Sequence, residues 1–197
     1  MYNKSYINIT ASILISMLVL SSNVVAKDCY EKSPNLIKLK DKYYDIEETK
    51  NLSGDEKSKL NFLFDKIEGK WEGESSYSEC KGPDRAPSKE YKTFTVASTI
   101  KLNSNNDLMI SANKSYSNNI TRHEVITLLG KVRIFELAFL NNTSVLFSER
   151  ALRKNINGGV HNVETIYEIT FNNNSLIFVR SYYSNGVFVA EEKWSMN

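Results

Sequence analysis

The stretch VHNVETIYEITFNNNSLIFVRSYYSNGVFVAEEKWSM, residues 160–196, decides the fold. It holds three runs in which apolar and polar residues alternate, Val160–Phe171, Ser175–Ser184 and Gly186–Met196, separated by Asn172-Asn173-Asn174 and Asn185-Gly186. A period of two sends successive side chains to opposite faces of a strand. Asn-Gly between two such runs is the strongest short-range hairpin signal, because both central residues of the tight turn need positive φ. Asparagine tolerates that conformation better than most side chains, so the triple-asparagine turn fits too. The stretch reads as three antiparallel strands joined by two hairpins.

Upstream the same pattern continues. Lys70–Glu79, Tyr91–Leu102, Leu108–Ser117, Ile120–Gly130, Lys131–Leu140 and Thr143–Leu152 each alternate, with turn signals such as Asn118-Asn119, Asn141-Asn142 and Asn157-Gly158-Gly159 between them. No connection is long enough for the crossover that parallel neighbours need. The fold class expected is all-β, an antiparallel up-and-down meander closing into a barrel of about eight or nine strands. A Greek-key sandwich would need a long return, which these short turns do not provide. A transmembrane barrel would carry an apolar outer band, whereas Lys92, Thr93, Thr95 and Thr99 fill one strand and Glu164, Glu168, Glu191 and Lys193 look outward.

One amphipathic helix precedes the strands. Ser53-Gly54-Asp55-Glu56 has the spacing of a capping box. Leu60, Leu63, Phe64 and Ile67 then fall on one face at helical spacing, and Gly69 is placed to end the helix. The domain containing helix and barrel is assigned to residues 53–197, and the charged segment 27–52 is read as an N-terminal arm.

Residues 1–26 stand apart. Lys4, the apolar stretch Ile7–Leu20 and the small-residue end Val24-Val25-Ala26 have the layout of a secretory signal cleaved after Ala26. The apolar run is shorter than the roughly 20 residues a spanning helix needs. The expected destination is periplasmic or secreted, without stable membrane insertion after cleavage. The chain's net charge of +2 falls to +1 without Lys4, which gives no electrostatic case for nucleic acid. Cys29 and Cys80 are the two cysteines, and an even count in an oxidising compartment points to one disulfide, with two free thiols as the alternative.

Motifs for chemistry are sparse. His123 and His161 are the two histidines, without metal-ligand spacing, so no metal is expected. There is no nucleophile elbow and no phosphate loop, and no cofactor or catalytic residue is assigned. Paired-carboxylate chemistry would require Glu136, Glu149 or Glu192 to converge in a cavity. The aromatics are more informative. Phe94, Phe135, Phe139, Phe147, Tyr167, Phe171, Phe178, Tyr182, Tyr183, Phe188 and Trp194 lie along the strands, where they either pack a core or line a pocket. Arg180 alternates with Leu176, Phe178 and Tyr182; it either faces inward, with Glu192 or Glu136 as counter-ion, or reaches solvent at a twist. Glu192 is expected to share a face with Phe188, Ala190 and Trp194.

At the junction of helix and first strand stands Gly69-Lys70-Trp71. This resembles the Gly-x-Trp that opens the first strand of a lipocalin-like (calycin) barrel, over about Asp65 to Asn197. The resemblance implies that Trp71 plugs one barrel end and stacks under an arginine from a late strand, here Arg180. It also implies a small apolar or amphipathic ligand in the barrel. The expected ligand contacts are Trp71, Phe94, Phe135, Phe178, Arg180 and Tyr182. A protein-interaction module working through the arm or a barrel rim, such as an inhibitor or envelope factor, is the alternative reading.

Overall fold

The Ser53 hydroxyl accepts a hydrogen bond from the Glu56 backbone N–H at 3.2 Å, and the Ser53 N–H donates to the Glu56 carboxylate at 2.9 Å. This reciprocal cap satisfies two of the donors that a helix start leaves open, and it launches α1 (Gly54–Ile67). Leu60, Leu63, Phe64 and Ile67 are buried, as their spacing requires. Glu68 is already extended, and Gly69, at φ 141°, turns the chain into the first strand. In this computed structural model the described residues are 27–34, 51–103, 107–117, 119–128, 134–154 and 160–197. Residues 1–26, expected to be a signal segment, residues 35–50 of the expected arm and the expected turn at Asn157-Gly158-Gly159 lie outside them.

Nine strands follow: β1 (Gly69–Lys81), β2 (Ser88–Leu102), β3 (Leu108–Ser115), β4 (Thr121–Leu128), β5 (Ile134–Asn141), β6 (Ser144–Lys154), β7 (Val160–Asn172), β8 (Ser175–Ser184) and β9 (Val187–Met196). They form one antiparallel sheet in the order β4-β3-β2-β1-β9-β8-β7-β6-β5. The asparagine turns behave as their chemistry requires: Asn173, Asn174, Asn185 and Gly186 all have positive φ. First and last strands pair, Gly73 to Glu79 against Met196 to Ala190. The sheet curls rather than lying flat, as a contact between distant strands shows. Arg180 on β8 reaches Glu124 on β4 at 2.7 Å, although four strands stand between them in the sheet order.

The one departure from a run of hairpins falls between β4 and β5, which share no ladder among the described residues. Parity explains it. Antiparallel pairing alternates direction along the order, so the strands at its two ends, positions one and nine, run the same way. Parallel neighbours need a long crossover, and only residues 129–133 connect these two. The sheet is a curled half-barrel whose seam lies there.

One core fills the concave face. It combines the helix residues with Trp71, Val96, Ile100, Ile110, Ile126, Phe147, Tyr167, Phe178 and Trp194. The Trp71 indole N–H donates to the Ile67 carbonyl at 2.7 Å, and its ring meets Phe171 edge-on. Helix and tryptophan together close that end.

A smaller cluster, Ile166, Tyr183 and Phe188, lies on the convex face. A register shift between Tyr182 and Tyr183 sets Phe188 opposite Tyr183, while Ala190 stays opposite Tyr182. The bulge therefore moves Phe188 off the face of Glu192, correcting the simple alternation. Residues 27–33 strap this cluster. Phe188 N–H donates to Glu31 O at 2.7 Å, Ser33 N–H to Gly186 O at 2.8 Å, and Ser33 Oγ to the buried Glu164 at 2.5 Å. A Cys29–Cys80 disulfide, with Cα atoms 5.6 Å apart, fastens the strap to β1. Closing a loop of about 50 residues is worth roughly 3–4 kcal/mol. A Cys29→Ser/Cys80→Ser chain is expected to lose about that much in urea unfolding, within the 2–5 kcal/mol range for native disulfides; a loss below about 1 kcal/mol contradicts a strap that the disulfide holds.

Candidate functional site

β8 and β9 place Arg180 directly opposite Glu192, both on the concave face. The guanidinium donates to both Glu124 oxygens, Nη1 to Oε1 at 2.7 Å and Nη2 to Oε2 at 3.0 Å, and Nη2 also donates to Glu192. Lys114 on β3 completes the group, with Nζ 2.6 Å from Glu192 Oε1 and paired also with Glu124. The Trp194 indole N–H donates to the same Glu192 oxygen at 2.8 Å. Two cations thus meet two carboxylates, and the quartet carries no net charge. Its side chains are sunk in the fold: Arg180 is 5 % exposed, Glu192 4 % and Lys114 10 %, with Glu124 at the edge at 32 %. Buried charge persists only when paired and hydrogen-bonded. Here the aromatic faces add to the pairing, since the Arg180 guanidinium sits 5.4 Å from the Trp194 ring centroid and Lys114 Nζ 5.3 Å from it.

These contacts set the titration of Glu124 and Arg180. Burial pushes the Glu124 carboxyl up, but hydrogen bonds and charge from Arg180 and Lys114 outweigh it and hold the carboxyl at about 2. Burial works against the charged form of Arg180, yet Glu124 and its neighbours keep that group above its ordinary range. Tyr182, 5.8 Å from the guanidinium, is raised chiefly by burial.

Glu149 on β6 is a different case. Burial raises its carboxyl from 4.5 to about 7, and a hydrogen bond from Tyr167 only partly offsets this. Its Oε1 is buried without a hydrogen-bond partner among the described residues. A carboxyl with a raised folded pKa is a penalty that grows as pH rises from 4.5 through 7. Glu149→Gln is therefore expected to stabilise the chain at pH 8 by about 1–3 kcal/mol and to change nothing at pH 4. Thermal unfolding at the two pH values checks this, and an equal effect at both contradicts it.

Above the quartet opens a cleft of about 470 Å³, within the range of small-molecule sites. Lys114 and Glu192 lie at its floor, and Phe94, Tyr77, Tyr116 and Ile120 give it an apolar and aromatic wall. Glu79, Lys92 and Arg122 complete the lining. Ladder geometry brings these residues together: Tyr77 stands opposite Lys92 on one side and Glu192 on the other, and Lys114 stands opposite Arg122. The rings of Phe94 and Tyr116 are 4.9 Å apart, and the Arg122 guanidinium lies 5.7 Å from Tyr116. The site is thus layered, with a charged rim, an aromatic wall and a neutralised ionic floor on an apolar core.

Among the expected ligand contacts, Phe94 lines this cleft and Arg180 belongs to the quartet at its base. Tyr182 is half-buried beside Arg180. Phe178 and Trp71 lie in the apolar core, Trp71 at the helix end. The Phe135 side chain is outside the described residues. The tryptophan against Arg180 is Trp194, on the neighbouring strand, and not Trp71. Glu192, and not Glu136, is its counter-ion. The structure adds Glu124, Lys114, Tyr77, Lys92, Tyr116 and Arg122 to the residues around the cleft and its floor. The signal for two of them is plain alternation: Glu124 shares a face with Ile126 and Leu128, and Lys114 with Ile110 and Ala112. Among the described residues no three His, Cys, Asp or Glu side chains gather as metal ligands. Nor is any helix there long and apolar enough to cross a membrane.

No protein-family model matches the chain, and no curated protein matches it. Among solved structures it is similar to a protein of unknown function of the DUF3598 family from Nostoc punctiforme, at 13 % identity and a TM-score of 0.42. That match covers 68 % of this chain and 48 % of the other, so the chain spans about half the length of that protein.

Proposed function

We propose that this chain is an exported, lipocalin-like protein that holds a small amphipathic molecule at the open end of its curled sheet. The observation that carries the reading is the make-up of the cleft of about 470 Å³ at the end of the sheet away from α1, an aromatic wall over a balanced ionic floor. A groove of about 460 Å³ also lies between α1 and the end of β5, but it has no such ionic floor, and Trp71 fills the core beside the helix. An aromatic wall with a few fixed polar groups is the usual make-up of a small-molecule site. The ligand then lies against Phe94, Tyr77 and Tyr116, above a packed core and not inside a deep apolar cavity. The Cys29–Cys80 bond favours an oxidising compartment. The described part of the N-terminal arm is spent on the chain's own convex face, which weighs against that part acting as a docking arm.

Native mass spectrometry of the chain purified from an exporting host, compared with its denatured mass, tests this directly. The expected result is a reproducible excess mass that disappears on denaturation. A native spectrum equal to the denatured mass, unchanged after incubation with amphipathic aromatic compounds, overturns the proposal.

A further inference from the structure

The charges of the cleft can be sorted by what already answers them. Lys114 and Glu192 belong to the quartet, whose two positive and two negative groups cancel. Glu79 is paired with Lys81 at 2.9 Å. Two cations then remain, Lys92 and Arg122, and neither has a carboxylate partner among the described residues. Arg122 is nonetheless held in place, because its guanidinium rests against the Tyr116 ring, which in turn packs on Phe94. An arginine already stacked on an aromatic face loses less freedom when its fork engages an acid group. Lys92 sits on β2 beside Tyr77, so cations reach the cleft from two different strands, β2 and β4.

We infer that the ligand of this cleft is an amphipathic anion, with its acid group between Lys92 and Arg122 and its apolar part against Phe94, Tyr77 and Tyr116. The inference rests on the proposed ligand-binding reading and adds the chemical class. Lys92 and Arg122 are exposed and hydrated in the free cleft, so a neutral ligand would draw no charge-assisted bond from them, and a cation would meet them with like charge. An acid group supplies the one element the cleft lacks, since its carboxylates are all engaged and its floor is neutral. Charge-assisted hydrogen bonds from Lys and Arg to carboxylate, sulfonate-like or phosphate groups are stronger than neutral ones, and arginine adds bidentate geometry.

The test compares two probes of one shape, anilinonaphthalene sulfonate and its uncharged parent phenylnaphthylamine, by fluorescence titration of the full chain. The wild type is expected to bind the sulfonate about tenfold more tightly than the parent at low salt. Lys92→Gln/Arg122→Gln is expected to bring that ratio close to one while leaving the parent's affinity within about twofold. Lys57→Gln/Lys101→Gln removes the same net charge away from the cleft and is expected to keep the wild-type ratio. If both probes bind the wild type equally, or the ratio survives loss of Lys92 and Arg122, the anion assignment is wrong and the ligand-binding reading stands. If neither probe binds and the native spectrum shows no adduct, both fall together.

Discussion

Arg180→Met is expected to cost about 3–5 kcal/mol at pH 7, the range for removing one partner of a buried ion pair. The reason lies in what the substitution leaves behind. Glu192 is 4 % exposed, and Glu124 would lose its bidentate partner, so two carboxylates would share Lys114 as their one cation, with only the Trp194 N–H besides on Glu192. Methionine keeps much of the volume and the contact with Trp194, so a lost cavity contributes little. The pH dependence separates charge from packing. In the wild type Glu124 has a folded pKa depressed to about 2, so its contribution is complete above 4.5 and is lost as pH falls toward 2. The variant keeps only the smaller part of it that Lys114 supplies. The gap between variant and wild type should therefore narrow as pH falls through that window, measured by urea unfolding at pH 7 and pH 3. A loss that is small, or equal at both pH values, contradicts the ionic floor.

Gly73→Ala is the second large effect. Gly73 faces Met196 where β1 pairs with β9, and a Cβ built there would lie 2.0 Å from the Ser195 carbonyl oxygen and 2.8 Å from Met196 Cα. Both are backbone atoms, so no side-chain rotation relieves the clash and the pairing itself must shift. Overpacked sites cost about 1–3 kcal/mol and occasionally more, and about 3 kcal/mol is expected here because backbone has to move. This ladder joins the four-strand half β1–β4 to the five-strand half β5–β9. Amide exchange should accordingly rise on both sides of it, from Gly73 to Glu79 and from Ala190 to Met196, before it rises in β6 or β7. Wild-type stability with unchanged protection would contradict the close approach.

What was legible in the sequence followed local chemistry. Asn185-Gly186 fixes its hairpin because both residues can hold positive φ, and the Ser53/Glu56 cap fixes the helix start. Alternation on β8 and β9 allows an inward Arg180 and makes Glu192 one of two candidate partners; the ladder selects it by setting the two directly opposite. The remainder depended on longer-range geometry. A single bulge at Tyr182/Tyr183 moves Phe188 to the other face, and period-two counting does not register one extra residue. The β4–β5 seam follows from the parity of a nine-strand sheet, a property of no individual segment. Alternation with Ile126 and Leu128 turns Glu124 inward, but its meeting with Arg180 depends on the curl of the sheet, which no local pattern reports. Trp71 and Phe178 are aromatic like Phe94, but alternation reports which face a ring is on and not its depth along the barrel axis. That depth separates the wall of the cleft from the packed core beneath it.

The most direct measurement of the central claim is a titration of the isotope-labelled chain with anilinonaphthalene sulfonate, followed by backbone amide shifts. Saturable changes centred on Tyr77, Phe94, Lys114, Tyr116 and Arg122, with Trp71 and α1 undisturbed, are the predicted result. Changes centred on Trp71 and the helix end would contradict a ligand site at the open end of the sheet, as would the lack of any saturable change with both the sulfonate and its uncharged parent in a chain whose native spectrum shows no adduct.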